Sequence, residues 1–585
     1  MSDRYTRNHC PWLAALVGRR NKLIVLDRAG ISEEKSETAP ASSTRVGVAR
    51  CRLGVLAAVL GLSALGLAQD GPVFRAGTRL VQIDVVARDK HGPVSGLTKD
   101  DFELFVCDQE AGRPRDPFGT RTPCKGRRQE IQVFHAANEA PVPALPPAAA
   151  FPQGIVSNRF DSRGAPVSSA TVVLLDRLNT AFDHTGYERT EIVKFLRSLR
   201  ETDRVAVYFL GRKLHVIQDF TDDPEKLAHA IAGLDTGLDV FQMYAGDDSL
   251  SQADESVRPG IAQVQGGVFG GLYDQITLDA LRTIVRHMAG VPGRKNLVWL
   301  KETPQVALTA VSSRRALSLL RGNNIALYPV LVRGVKSSGV FSMTGRFALP
   351  MPELRLWQAT RDLGASTGGA GFTDAADLHD AINRAAEDSG NTYTLGFYPA
   401  ESDLDGKLHQ LTVALSRRIA RKDRLELQYR NEYLAARQEP EGKNPDPNDI
   451  FDSPLDATGI GLTAAPPPDQ NVPGEYHLNL FVNLADVQLE PKGDQSVGSL
   501  RIAALLEPRP PGWKPAPQIL PINFRREELQ TARGSGYAVE MQITGVDDRT
   551  SSIEIVVQDA VSGAAGSLRI PLREKSKPSG RGGQR

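Results

Sequence analysis

The middle of the chain consists of short apolar runs separated by stretches with helical spacing. The clearest run is Thr171–Leu175, five apolar or β-branched residues that lead directly into Asp176. A continuous apolar run of this length is typical of a strand buried on both faces, as in a parallel sheet. Similar runs predict strands over residues 204–210, 296–300, 325–332 and 391–398, with a short antiparallel strand near 214–218.

Helices are expected between these strands, because apolar residues recur there at positions i, i+3, i+4 and i+7. The predicted helices span residues 187–199, 224–234, 278–288, 313–320, 353–363 and 374–387. The polar, Gly-rich segment 235–270 is expected to be a mobile loop. Strands that alternate with helices predict a doubly wound, Rossmann-like α/β core. We place this core at residues 169–435, with a β appendage from 406 to 433.

The hydrophobic period changes to two on either side of this core. Strands without a long helix predict a small N-terminal β domain over residues 74–135. Alternating strands without clear helices predict a C-terminal β-sandwich over residues 475–573. The fold class is therefore multidomain, with a doubly wound α/β core flanked by small β-sandwich domains.

Two segments have the composition of linkers. Residues 136–168 are rich in Pro and Ala, which favours polyproline character. Residues 436–474 are rich in Pro, Asp and Gly. The basic, Gly-rich residues 574–585 are expected to be a disordered tail.

The apolar segment Leu53–Ala68 indicates export. It follows Arg50 and Arg52, ends in a small-x-small pattern, and is shorter than the about 20 residues of a membrane span. We predict a signal peptide at residues 50–68, whose cleavage leaves no stable transmembrane span. A retained signal-anchor is the alternative.

Residues 1–49 are unusual in front of a signal peptide, whose charged start normally has only a few residues. We expect this segment to be a mis-assigned start or disordered, with translation beginning near Val46 or Val48. The exported protein would be periplasmic, held at the cell surface or secreted.

Composition narrows the classes of function. The 585 residues are enough for roughly three or four domains. The chain has 70 basic and 69 acidic residues, and a net charge this close to zero does not favour nucleic acid as a partner. Four cysteines are too few for a disulfide-dense scaffold. Cys107 and Cys124 bracket a Pro/Arg/Gly-rich insertion, and in an exported protein we expect them to form a disulfide; two reduced thiols are the alternative.

Several segments, taken in order, carry a family resemblance. They are Val81–Phe102, Leu174–Thr180, Gly293–Leu300, Tyr393–Tyr398 and Asp405–Lys407. The chain resembles the secreted proteins related to von Willebrand factor type A (VWA) domains that are described from Acidobacteria. The resemblance covers roughly residues 74–435 and implies a VWA-type α/β domain, while the C-terminal domain is not explained by it.

The resemblance also implies a metal-ion-dependent adhesion site built on Asp-x-Ser-x-Ser after the first strand. Here the motif is Asp176-Arg-Leu178-Asn-Thr180. Asp176 and Thr180 match in chemistry, and carboxylate and hydroxyl oxygens suit Mg²⁺ or another divalent cation. Leu178 does not match, because an isobutyl group cannot bind a metal. The implied site is therefore degenerate.

The remaining ligands implied by the resemblance come from later in the chain. Glu302 would take the place of the later Asp, although Lys301 puts a competing charge beside it. Thr277 or Thr221 would supply a loop hydroxyl. The alternative is that Asp176, with Asn179 and Thr180, accepts backbone N–H bonds of the following turn.

Other motifs are better explained by structure than by chemistry. Ser366 lies in Gly364-Ala-Ser-Thr-Gly368, but a nucleophile elbow needs a strand before it and a helix after it. The run Gly266–Gly271 lacks the Lys of a phosphate loop and favours a flexible loop. His215 and His287 are expected to be surface or packing residues, and Trp299 to be core.

The leading hypothesis is a non-enzymatic protein that binds a protein or other macromolecule of the cell envelope, as an adhesion or assembly factor. The carboxyl edge of the α/β sheet would be the contact face, with or without a metal at Asp176. The alternatives are an envelope hydrolase with an unrecognised site and a metal-free structural scaffold.

Overall fold

The structure is a computed structural model in which five sheets form three units. It describes residues 22–26, 80–110, 126–136, 155–159, 169–176, 178, 204–221, 223–232, 268–291, 294–301, 310–331, 351–373, 378–400, 403–405, 407–420, 425–435, 446–465, 473–509 and 514–572. One sheet belongs to an α/β unit, and the other four pack as two β-sandwiches.

The α/β unit has a five-stranded sheet whose last four strands are parallel. The strand order is Leu214–Thr221, Arg204–Leu210, Ser169–Asp176, Arg294–Lys301 and Ile325–Leu331, and the first strand is antiparallel to its neighbour. The helices of the unit are Pro224–Ala232, Val268–Met288, Ala310–Gly322, Met351–Ser366 and Leu378–Gly390. These strands lie where the apolar runs predict them, including the antiparallel one.

Both faces of this sheet are buried. Val172 and Leu174 pack in a cluster with the helix Val268–Met288, whereas Val173 packs on the other face with residues of the helix Leu378–Gly390. Because neither face meets water, each central strand is apolar at successive positions, which produces the continuous runs seen in the sequence.

The first β-sandwich combines strands from both sides of the α/β unit. One sheet has the order Glu426–Gln428, Val81–Asp89, Thr392–Phe397 and Val133–Ala136, with Gly92–Pro93 paired to Val81–Asp89. The other has the order Glu432–Leu434, Leu408–Leu415, Phe102–Glu110 and Arg127–Gln129. Short helices at Lys99–Asp101 and Arg417–Ala420 complete it. The α/β unit is thus an insertion between the two halves of one sandwich.

This arrangement corrects two predictions. The strand expected over residues 391–398 is present as Thr392–Phe397, but it pairs antiparallel with Val81–Asp89 and not within the parallel sheet. An N-terminal β domain confined to residues 74–135, with a separate appendage at 406–433, is therefore wrong. Strand periodicity identifies a strand but not the strand it pairs with. Tyr393, Leu395 and Phe397 alternate along the strand and face the core of the sandwich, and such alternation is typical of an antiparallel strand with one buried face.

The C-terminal sandwich contains the strands predicted over residues 475–573. Its first sheet has the order Lys22–Leu26, Tyr537–Thr544, Glu475–Val482, Leu462–Ala465 and Val156–Ser157. Its second has the order Glu490–Lys492, Gln495–Glu507, Ser552–Asp559 and Ala565–Pro571, and Gln518–Arg525 pairs with Gln495–Glu507. It also has a short helix at Leu484–Asp486 and a helix at Arg526–Ser535. The expectation that this domain lacks helices is wrong.

Both predicted linkers contain ordered structure. Residues 446–465 form the helix Asn448–Phe451 and a strand, and Ile450 and Phe451 cover the outer face of the second C-terminal sheet. Val156–Ser157 pairs with that same strand, and the Asn158 amide donates to two carbonyls of the segment, at 2.8 and 2.9 Å. Pro, Asp and Gly dominate the composition, whereas the buried residues between them decide the structure.

Two further expectations are corrected. Lys22–Leu26 forms a strand, so disorder of residues 1–49 is wrong for these five residues. The helix Val268–Met288 begins ten residues before the predicted start, so part of the Gly266–Gly271 run is helical and not a flexible loop. Helix propensity treats glycine as a breaker, but tertiary packing of one apolar helix face outweighs about 1 kcal/mol per glycine.

A buried ionic network joins the amino edge of the parallel sheet to the first sandwich. Asp388 has no exposed side-chain surface and accepts hydrogen bonds from Arg88 at 2.5 Å, Tyr328 at 2.7 Å and Gln428 at 3.2 Å. Arg294, at the start of its strand, donates to the Tyr328 hydroxyl at 3.0 Å. The three donors to Asp388 come from three other elements, so the network fixes how the two units meet.

Two more pairs cross the same boundary. Asn324 donates to Asp84 at 2.7 Å, and the buried pair Arg321 and Glu432 meets at 2.5 Å. Asn324 directly precedes the strand Ile325–Leu331, and Arg321 lies in the last turn of the helix before it, which places both at the amino edge. The first sandwich therefore covers this edge of the sheet.

Replacing Asp388 by alanine tests the network. We expect Asp388→Ala to lower the free energy of unfolding by about 3–5 kcal/mol, because it leaves the Arg88 guanidinium and the buried Tyr328 hydroxyl without their carboxylate acceptor. Glu387→Ala is the matched control: its side chain is 53% exposed and binds the same Arg88, so it should cost less than about 1 kcal/mol. Urea denaturation followed by circular dichroism measures both. Equal losses in the two variants would contradict this role of Asp388.

A second junction joins the helix Val268–Met288 to the C-terminal sandwich through His287. Its Nε2 contacts Asp219 Oδ1 at 2.9 Å and its Nδ1 contacts the Asp456 carbonyl at 2.6 Å. Both partners are acceptors, so both ring nitrogens donate and the imidazole is protonated. The Thr458 hydroxyl donates to the His287 carbonyl at 2.6 Å. A Cβ at Gly290 would lie 2.3 Å from the Thr458 carbonyl oxygen, so this approach requires glycine.

The electrostatics of this junction agree with its geometry. Burial lowers the pKa of His287, but the hydrogen bonds and charges of Asp219 and Asp456 outweigh it and raise the pKa above the usual value of 6.5. Burial likewise raises the pKa of Asp219, and the His287 hydrogen bond and charge bring it down to about 2. Tyr208 also donates to Asp219, at 3.0 Å. The pair is therefore charged near neutral pH.

The junction predicts a pH dependence of stability. Since the folded pKa of His287 is raised, its contribution is complete below pH 6.5 and is lost as the pH rises through the folded pKa. Thermal melts at pH 6.0 and above the folded pKa should show this loss in the wild type and not in His287→Gln. His215→Gln is the control: His215 lies outside the junction and burial lowers its pKa, so removing it should leave a loss at least as large as in the wild type. An unchanged pH dependence in His287→Gln would contradict the assignment.

Candidate functional site

Asp176 lies at the carboxyl edge of the parallel sheet, as predicted. It ends the central strand Ser169–Asp176, opposite Leu210 of the neighbouring strand, and is only 2% exposed. An ionised carboxylate buried to this extent requires donors or a cation close to it. The residues that surround Asp176 therefore decide the chemistry of this edge.

Two residues of the adjacent strand meet this requirement. Trp299 donates from Nε1 to Asp176 Oδ2 at 3.0 Å. Lys301 is 1% exposed, and its ammonium lies 4.3 Å from the centroid of the Trp299 ring. The register pairs Leu175 with Leu300, so Asp176 and Lys301 occupy the next position of the two strands and share one face of the sheet.

The ammonium of Lys301 is held by cation–π contact and by charge. Burial lowers its pKa to about 8, and the charge of Asp176 opposes that shift. We call Asp176, Trp299 and Lys301 the carboxyl-edge triad. Sequence analysis predicts Trp299 as core and Lys301 only as a competing charge; the hydrogen bond that links Trp299 to Asp176 requires the strand register and was missed.

The long helix Val268–Met288 brings two further polar residues towards this edge. Its last turn precedes the strand Arg294–Lys301, which starts at the amino edge, so its first half points towards the carboxyl edge. Asp274 and Thr277 lie in this half and are 4% and 1% exposed. Thr277 was predicted as a loop hydroxyl, and it is helical instead. Asp274 was not predicted.

Thr221 cannot supply the implied hydroxyl. It ends the antiparallel edge strand and lies opposite Val205, near the start of the next strand, which places it at the amino edge. Its hydroxyl accepts from the Asp223 amide at 3.1 Å and so belongs to the start of a helix. The prediction is corrected because that strand is antiparallel to its neighbour, which reverses its two ends.

The groups described around Asp176 are mainly hydrogen-bond donors. Asp176 faces the Trp299 N–H and the Lys301 ammonium, which are donor groups and cannot act as ligands. Leu178 packs against the apolar cluster on that face of the sheet, and its amide donates to the Leu210 carbonyl at 3.0 Å. The described neighbours of Asp176 thus supply hydrogen-bond donors and charge, and the isobutyl side chain of Leu178 supplies no ligand. Thr180 and Glu302 lie outside the described residues, so their role as ligands stays a prediction.

Among the side chains that the structure describes, no three His, Cys, Asp or Glu residues are placed to share a metal ion. Within the same residues, no helix is long and apolar enough to cross a bilayer. Cys107 is disulfide-bonded, and Cys124, its predicted partner, lies outside the described residues.

The remaining motifs have structural roles. Ser366 ends a helix, donates to the Leu363 carbonyl at 2.9 Å and offers its own carbonyl to Arg321 at 3.0 Å. In the motif Gly293–Leu300, Arg294 binds the Gly368 carbonyl at 2.6 Å and Asn296 binds Ser389 at 2.5 Å, both of them buried. These residues hold helices and the first sandwich at the amino edge of the sheet.

Comparison with known proteins gives similarities among solved structures alone. No family model and no curated protein matches the chain. It is similar to von Willebrand factor type A from Catenulispora acidiphila, at 10% identity over 70% of this chain and 66% of that chain, with a TM-score of 0.23. It is also similar to BatB from Bacteroides thetaiotaomicron, at 12% identity over 37% of this chain and 99% of that chain, with a TM-score of 0.23.

A third similarity is to the vWF domain of the type V pili tip protein Mfa5 from Porphyromonas gingivalis. The identity is 9%, over 38% of this chain and 95% of that chain, and the TM-score is 0.23. At these identities and scores, the similarities carry no conclusion about what this chain binds.

Proposed function

We propose that the chain is an exported, non-enzymatic binding protein of the cell envelope. Its VWA-like α/β unit would engage a protein or other macromolecule through the carboxyl edge of the sheet. The observation that supports this proposal is the buried network around Asp388, through which the first sandwich covers the amino edge of the sheet. Open α/β sheets bind their ligands at the carboxyl edge.

Two exposed basic residues lie at this edge. Arg212 and Lys213 are exposed in the hairpin after Leu210, and Leu210 lies opposite Asp176. The Gly211 amide closes this hairpin by donating to the Lys213 carbonyl at 3.1 Å. A rigid, charged turn beside the carboxyl-edge triad suits a partner with acidic groups, since complementary charge guides association.

We further propose that binding requires no metal. Lys301 supplies the positive charge that a divalent cation would bring to Asp176, and it is part of the chain itself. An internal ammonium keeps the carboxylate neutralised at every cation concentration. The contact face then has a fixed charge and shape, and Asp176 contributes to stability and not to contact with the partner.

Thermal melts of the full chain with Mg²⁺, Mn²⁺, Ca²⁺ or a chelator test the metal-free proposal. We expect equal melting temperatures, whereas a cation that binds only the folded state adds about 2.7 kcal/mol at 100 times its dissociation constant. A rise that is present in the wild type and absent in Asp176→Asn would overturn the proposal and establish an adhesion site. A rise that persists in Asp176→Asn would place the cation elsewhere.

Charge reversal at the hairpin tests the proposed contact face. The probe is a solubilised envelope fraction of the producing cells, passed over the immobilised full chain. We expect Arg212→Glu with Lys213→Glu to reduce retention of envelope protein by roughly tenfold, because like charges then face each other. The matched control is Arg525→Glu with Arg533→Glu, two exposed arginines of the C-terminal sandwich.

The two double variants separate the outcomes. Loss of retention in the hairpin variant alone supports the carboxyl edge as the contact face. Equal retention by the wild type and the hairpin variant, or a loss in the control variant alone, would contradict it. Circular dichroism of each variant confirms that the fold is kept.

A further inference from the structure

A cleft lies on the outer face of the second sheet of the C-terminal sandwich. Its volume is about 650 Å³, which is within the size range of ligand sites. It is lined by Arg501 of the strand Gln495–Glu507, by the start of the helix Asn448–Phe451 and by the extended segment 514–517. We propose that this cleft is a docking site for an acidic, extended segment of a partner protein.

The strand register places Arg501 on the outer face of the sheet. Its neighbours Leu500 and Ile502 point into the core between the two sheets. Further along the same strand, the outer face is covered by Ile450 and Phe451. Arg501 lies where this cover ends and is half-buried, so its side chain borders the cleft.

The described lining of the cleft has an excess of positive charge. Its cations are Arg501 and Lys514, and within the part of the chain that the structure describes neither forms an ion pair or a side-chain hydrogen bond. Its carboxylate, Asp446, already accepts from the backbone and side-chain amides of Asn448, at 3.0 and 2.8 Å. The two cations therefore keep their donors for a ligand, and a carboxylate is the protein group that accepts from both.

The walls of the cleft favour an anion over a neutral amide. Pro447, Pro515 and Pro517 line it, and proline has no backbone N–H to donate. The backbone N–H of Asn448 is bound to Asp446. The donors that a ligand meets are thus mainly the two cationic groups, while the proline rings supply apolar contact.

An exposed apolar residue beside the cleft indicates a peptide and not a small anion. Ile519 is 68% exposed, and among the described residues it is the one large apolar side chain that is exposed. It lies directly opposite Arg501 in the register, on the same face of the sheet and about 5 Å away. Side chains two residues apart in an extended peptide also share a face, at about 7 Å. An acidic and an apolar residue at such positions would contact Arg501 and Ile519 together.

A labelled peptide with the repeat Glu-Ser-Leu-Ser, titrated against the full chain, tests the docking site. We expect Arg501→Gln with Lys514→Gln to weaken its binding at least tenfold, because the charges that attract its carboxylates are removed. The matched control is Arg525→Gln with Arg533→Gln, two exposed arginines of the same sandwich, which should bind within twofold of the wild type. A peptide with the repeat Gln-Ser-Leu-Ser should bind the wild type at least tenfold more weakly.

Three single variants sharpen the test. Lys514 is exposed and outside the strands, so Lys514→Gln alone removes charge without touching the sheet and should cost about threefold in affinity. Asp446→Asn should strengthen binding, because it removes a negative charge and keeps the acceptor for Asn448. Ile519→Ser should weaken the peptide at least fivefold and leave unchanged the binding of glutarate, a dicarboxylate without an apolar side chain, measured by competition.

The outcomes are separable from those for the carboxyl edge. Equal binding of the two peptides, or equal loss in the two double variants, would overturn the inference. An Ile519→Ser variant that binds the peptide normally would assign the cleft to a small anion and would also overturn it. A loss confined to the Arg212→Glu, Lys213→Glu variant would place the peptide at the carboxyl edge, which contradicts this docking site and supports the proposed contact face.

Discussion

The buried carboxylate of Asp388 is the constraint on which the arrangement of the chain depends. A charge without exposed surface is tolerated only when donors converge on it, and here they come from three elements. One of them, Arg88, lies 300 residues earlier in the sequence. The inserted α/β unit therefore cannot turn relative to the sandwich without leaving this carboxylate unpaired, and the amino edge of its sheet stays buried.

A second buried carboxylate, that of Asp176, lies at the carboxyl edge and is paired with different groups. Asp176 is nearly as buried as Asp388, but its positive partner is a lysine that itself stacks on an aromatic ring. A divalent cation could be released from such a site by a chelator or by a change in concentration, whereas a covalently attached ammonium cannot. Part of the charge that balances Asp176 is therefore built into the chain itself.

Sequence periodicity predicted the elements of the α/β unit well, because burial of both sheet faces imposes continuous apolar runs. It placed Asp176 at the correct edge for the same reason. It could not assign Thr392–Phe397 to its partner strands, since pairing is decided by contacts with Val81–Asp89 far away in sequence. It also could not place Thr221, because a single antiparallel neighbour exchanges the two edges of the sheet for that strand.

The interaction between Trp299 and Asp176 shows a further limit of sequence patterns. An apolar run marks Trp299 as core, and its burial agrees, but its indole N–H serves a charged residue on another strand. The same ambiguity applies to Lys22–Leu26, whose pattern gave no reason to expect a strand so early in the chain. Hydrophobicity identifies what avoids water, whereas hydrogen-bond partners are set by register. Arrangements that depend on register, such as the carboxyl-edge triad, therefore become visible only in the folded chain.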